Sequence, residues 1–184
     1  MKRDNRGFTI VEIVVVIAIV SILAGMGIIG VYQISGFHAR EGADTIANSL
    51  TQARIAMLGK SKGAGNMAWD LYCEDGEYYV RTVYNVGASE YYRDEKKIVD
   101  GRVTVYYGET TKKTMEGNGN TTFLRLGDGS SRRIYFNRST GALCNNTGAT
   151  LNSNVLISVE QGRKRYDVMI IARTGKILKQ TVRR

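Results

Sequence analysis

The sequence predicts an α+β protein: a long N-terminal helix, part membrane stem and part amphipathic, packed against an antiparallel β-rich C-terminal domain. Three observations lead there. An uncharged, mostly apolar run of 19 residues extends from Ile13 to Val31. Apolar residues then recur at helical spacing as far as Met57. From Met67 onward, short segments rich in Val, Ile, Tyr and Thr alternate with turns built on Gly, Asn and Asp.

Residues 1–7 form a short charged leader, with Lys2, Arg3 and Arg6 against Asp4. Residues 8–34 make the stem. A helix rises about 1.5 Å per residue, so 19 uncharged positions are long enough to cross a bilayer. The basic start would stay in the cytoplasm and send the C-terminal part outside. A cleaved secretory signal fits poorly, because the apolar run is too long and no Ala-x-Ala site closes it. Glu12 stands at the start of this run, where a carboxylate costs about 2.5–3.5 kcal/mol on insertion scales and calls for a partner or a role.

Residues 35–58 read as an amphipathic continuation of the helix. Ile46, Leu50, Ala53 and Met57 step by four, three and four, along one face. Gly25, Gly27, Gly30 and Gly36 weaken the helical stretch. Residues 59–66, GKSKGAGN, form a Gly-rich linker; the order of a phosphate-binding loop is absent and no strand precedes it.

Residues 67–184 form the β-rich domain. MAWDLYC (67–73), the turn EDG and EYYVRTVYN (77–85) predict a hairpin. Further strands are expected within KIVDGRVTVYYG (97–108), as two pieces around the Gly127-Asp128-Gly129 turn, and in a final hairpin over 155–181 with a turn at Thr174-Gly175. One sheet face is expected to pack on the helix.

Composition narrows the function. The 184 residues include 11 Tyr and 23% charged residues, which is not a disordered composition. The chain carries a net charge of +9, of which the leader supplies +2. A basic domain of this kind is suited to acidic polymers or simply to solubility. Cys73 and Cys144 lack zinc spacing; in an exported domain they are candidates for one disulfide, and the sequence leaves that pairing open. An enzyme is not expected, nor a cofactor, a metal or a small-molecule substrate. The single histidine, His38, falls on the helix, and the EDGE carboxylates at 74–77 surround a turn. Arg163, Lys164 and Arg165 beside Tyr166 at a predicted hairpin turn are candidates for phosphate or DNA contact.

Gly7-Phe8-Thr9-Ile10-Val11-Glu12 resembles the leader junction of type IV pilins and pseudopilins. The resemblance implies that a prepilin peptidase cuts between Gly7 and Phe8, and that Phe8 is then N-methylated. It also makes Glu12 the fifth mature residue, able to pair with the new amine of a neighbouring subunit during assembly. A long helix followed by a β-rich half, with Thr-Gly-Lys-Ile near the end, looks like the minor pseudopilins of the type II secretion H type and related minor pilins of type IV pili. Major pilins usually end in a disulfide-bounded loop, whereas Cys144 lies 40 residues from the end. The implied partners are other pilin or pseudopilin subunits, the peptidase, the cytoplasmic membrane and the assembly platform. DNA is a further implied partner if the subunit serves uptake. A generic single-pass protein with an extracellular β domain is the alternative.

Overall fold

The computed structural model describes residues 9–34, 36–58, 67–87, 89–100, 102–110 and 123–183, with the side chains of the first helix described as far as Ala24. Among the described residues there are two helices, α1 (Ile10–Ile34) and α2 (Phe37–Leu58), and ten strands. The strands are β1 (Met67–Glu74), β2 (Glu77–Tyr84), β3 (Tyr91–Lys97), β4 (Thr104–Thr110), β5 (Phe123–Arg125), β6 (Ser131–Phe136), β7 (Leu143–Cys144), β8 (Asn154–Gln161), β9 (Lys164–Ile170) and β10 (Ile177–Arg183). The chain divides into two compact units, residues 1–35 and 36–184.

The first unit holds α1, an apolar helix whose one charged residue is Glu12. Among the described residues no helix is long and apolar enough to cross a membrane. The continuous helix expected through 35–58 is instead divided. Gly36 adopts φ +94°, a left-handed conformation that ends a helical run and that glycine enters without penalty. Its N–H donates to Gln161 Oε1 at 3.1 Å, and its carbonyl accepts from Arg40 N–H at 3.1 Å, so Gly36 starts α2 as a new helix. The Gly-rich linker at 59–66 lies outside the described residues.

The second unit is built around α2. Ala39, Ala43, Ile46, Leu50, Ala53 and Met57 repeat every three or four positions and are all buried. They pack not on one sheet but on two, each five-stranded. The strand orders are β3-β2-β1-β6-β7 and β10-β9-β8-β4-β5, and every pairing is antiparallel. Trp69, Leu71, Val80 and Ile134 of the first sheet join Val105, Ile157, Val159 and Val168 of the second in one core with α2. Burying each large aliphatic side chain contributes about 1.5–3 kcal/mol. The Trp69 indole N–H donates to Ser49 Oγ at 2.7 Å, which satisfies the polar end of a fully buried ring.

The β1–β2 hairpin forms as expected, with Asp75-Gly76 as its two-residue turn. The strand expected within 97–108 is β4, which begins at Thr104 and runs on to Thr110, while Lys97 ends β3. The edge strand β3, Tyr-Tyr-Arg-Asp-Glu-Lys-Lys, is exposed along nearly its whole length, so it carries no alternating apolar signal. The two strands expected around Gly127-Asp128-Gly129 form, as β5 and β6, and they lie in different sheets. β5 pairs with β4 in one sheet and β6 with β1 in the other, so this turn carries the chain between sheets. Leu126 N–H closes onto Val105 O (2.9 Å) before the turn, and Cys73 N–H onto Ser130 O (3.0 Å) after it. The C-terminal hairpin is a three-stranded meander, β8-β9-β10.

Cys73 and Cys144 are buried free thiols. Cys73 follows Tyr72, which faces Ser131 on β6, while Cys144 faces Tyr135 on the same strand. The two cysteines therefore sit two strands and about five residues apart, roughly 18 Å at ordinary strand spacings. A disulfide needs Cα atoms within about 7 Å. Burial pushes both thiols up. Alkylation of the denatured, unreduced chain is expected to label both cysteines, and the native chain neither; a mass showing a missing pair of hydrogens would contradict this register.

Candidate functional site

The functional residues singled out in the sequence and described in the structure fall at two places, and the structure adds a third. The first is the N-terminal segment. Thr9 caps α1: its hydroxyl accepts from the Glu12 N–H at 3.2 Å and its carbonyl from the Ile13 N–H at 3.2 Å. Thr9-Ile10-Val11-Glu12 thus has the Thr-x-x-Glu spacing of a capping box, with Glu12 as the third helical residue. This signal is readable in the sequence and adds a reason for the carboxylate: negative charge is favoured in the first turn of a helix by about 0.3–1 kcal/mol. Thr9→Ala is expected to fray this first turn at a cost of about 1 kcal/mol, measurable as a loss of helical signal at 222 nm. The junction Gly7-Phe8 lies outside the described residues.

The chain carries a prokaryotic N-terminal methylation motif. The match covers residues 2–28, which include Gly7, Phe8 and Glu12. It supports a type IV pilin-like precursor, processed by a prepilin peptidase and assembling with other pilin subunits. No curated protein and no solved structure matches the chain.

The second place is the hairpin turn between β8 and β9. Here the basic cluster is divided. Arg163 is exposed at the tip. The aliphatic stem of Lys164 lies where a side chain on Gly36 would go, so it packs at the start of α2. Arg165 is only 16% exposed at its side chain. Its guanidinium donates twice to Asp167, at 2.6 and 3.0 Å, and lies 4.2 Å from the centre of the Phe123 ring. Tyr166 is half-buried on β9. Arg133 on β6 is likewise paired, donating to both oxygens of Glu90 at 2.9 Å. That pair holds the Glu90 carboxyl below its ordinary range. The turn thus contributes less free cation than the sequence suggested.

The third place was not visible in the sequence. Asp70 is a carboxylate with no exposed surface on β1, and Arg81 on β2 reaches it at 3.0 Å. Arg81 lies between the Tyr72 and Tyr92 rings, 4.1 and 3.9 Å from their centres. Desolvation raises the Asp70 pKa, and the hydrogen bond from Arg81 pulls against it. One Asp70 oxygen has no hydrogen-bond partner. Among the described residues no group of His, Cys, Asp and Glu could hold a metal ion.

Proposed function

We propose that this chain is a minor type IV pilin-like subunit that enters a pilus or a secretion pseudopilus. The peptidase removes residues 1–7, Phe8 becomes the N-methylated terminus, and the segment of residues 8–34 anchors the precursor as a single membrane pass. The domain 36–184 then lies outside the cytoplasm. The single observation that carries this reading is the methylation motif over residues 2–28. The uncharged run from Ile13 to Val31 supports the membrane anchor.

Glu12 is the assembly residue. After cleavage, the amine at Phe8 is a new charge beside an apolar helix. A carboxylate from the adjacent subunit offsets the cost of burying that amine, and fixes the axial register because only one stagger brings the two together. A minor rather than a major subunit is supported by the unpaired Cys73 and Cys144, which close no C-terminal loop. The role is structural rather than enzymatic. A DNA-capturing role is disfavoured by Arg165, whose charge is met by Asp167.

Intact-mass measurement and N-terminal sequencing of the protein from its host's membranes test the proposal. The expected chain begins at N-methylated Phe8. A chain that keeps Met1 to Gly7 in a host with a working prepilin peptidase would overturn it in favour of an ordinary membrane anchor.

A further inference from the structure

We propose that the domain binds a neutral N-acetylated saccharide in the cleft beside β6 and β7. This cleft has a volume of about 440 Å³, within the size range of small-molecule sites. It lies between two turns that follow β6 and β7, each closed by an asparagine. Asn137 Oδ1 accepts from the N–H groups of Ser139 (2.9 Å) and Thr140 (3.1 Å). Asn145 Oδ1 accepts from the Thr147 N–H (3.0 Å), the Thr147 hydroxyl (2.7 Å) and the Ala149 N–H (2.9 Å). An amide oxygen accepts two or three such bonds at most, so each side chain has only its NH2 group left to offer a ligand. Both side chains are held in place by their turns, which lowers the entropy cost of using them.

The cleft is therefore rich in fixed donors. Among the described residues no carboxylate lines it, which disfavours a cation. Its one charged residue, Arg138, is already engaged within the protein, which disfavours a strong anion. The half-buried Tyr135 supplies a ring against which the apolar face of a sugar can lie. Amide donors meet carbonyl acceptors best, and the acetamido group of an N-acetylated sugar provides one. A peptide fits less well. The edge of β7 is closed by the Cys144–Thr150 bridge and by the Leu151 N–H on Leu143 O (3.0 Å), so no strand can be added there.

The test is an NMR titration of the isotope-labelled full chain, in a detergent without sugar groups, with tri-N-acetylglucosamine. Maltotriose and trialanine are the comparison ligands. Saturable shifts are expected for the amides of Asn145 to Gly148. Asn146 lines the cleft beside Asn145 and closes neither turn, so its side-chain amide is a third donor to the acetamido group, and one that can be removed without opening a turn: Asn146→Ala should leave the spectrum folded while weakening binding at least tenfold. Arg163→Ala, at the β8–β9 turn, should leave it unchanged. Absence of saturable binding up to about 10 mM sugar overturns the proposal. So does equal or tighter binding of maltotriose or trialanine, or full binding by the Asn146→Ala variant.

Discussion

Gly175→Ala should destabilise the second unit by about 3–5 kcal/mol, lowering its melting temperature by roughly 10 °C. Gly175 and Gly141 belong to two Thr-Gly turns, one following β9 and the other preceding β7. They meet at the end of α2. Gly175 adopts φ +62°, where a side chain alone costs about 1–2 kcal/mol. A Cβ there would also land on the carbonyl oxygen of Gly141, which is backbone and cannot swing aside. Arg54 of α2 ties the two turns together, donating to Gly141 O at 3.0 Å and to Thr174 O at 2.9 Å. The same Cβ would come within 2.8 Å of the Arg54 guanidinium. Alone, Arg54→Ala should cost about 2–4 kcal/mol through two charged hydrogen bonds. In the Gly175→Ala background it should cost much less, because the turns have already parted. Thermal unfolding of the four chains by circular dichroism measures this coupling, and simple additivity would refute the arrangement.

Arg81→Met should destabilise the fold by about 3–5 kcal/mol, because it leaves the Asp70 carboxylate buried and unpaired. Methionine keeps an apolar stem between Tyr72 and Tyr92, so the loss reports the charge rather than the packing. The double variant Asp70→Leu, Arg81→Met should recover most of the stability, since two apolar groups need no desolvation. The pH dependence gives a second check. The folded Asp70 pKa lies above its ordinary value of 3.8. The folded chain therefore holds that proton more tightly than the unfolded one. Lowering the pH through the folded pKa removes the penalty of a buried charge, so Asp70 contributes more favourably in acid than at neutrality. In Arg81→Met the deficit relative to the parent chain should shrink as the pH falls through that range. Glu90 runs the other way. Arg133 lowers its pKa from 4.5, so its contribution is present above that value and is lost as the pH falls through the depressed one. A deficit that is constant from pH 7 to pH 4 would mean that Asp70 is not the stranded group.

What could be read from the sequence was local. The α2 face was legible because Ile46, Leu50, Ala53 and Met57 carry a helical period. The β1–β2 hairpin was legible because Asp75-Gly76 is a strong turn signal between alternating segments. The N-terminal motif was legible because Gly7, Phe8 and Glu12 stand at a set spacing along one chain, within the matched residues 2–28. β3 was not, since an edge strand exposed on both faces has no apolar period to display.

The sequence by itself thus determined the α+β composition, the N-terminal methylation motif and the apolar face of α2. Each depends on residues a few positions apart, where backbone geometry alone sets the relation. Only the tertiary structure decided that two sheets rather than one close on α2, that Cys73 and Cys144 stay apart, and that Arg165 and Arg133 have acidic partners. It also decided that Asp70 is buried against Arg81. Those outcomes depend on strand order and register, which place together residues such as Arg54 and Thr174, 120 positions apart. No period or motif carries that information, because long-range pairing is settled by which arrangement buries the whole apolar surface while satisfying its polar groups.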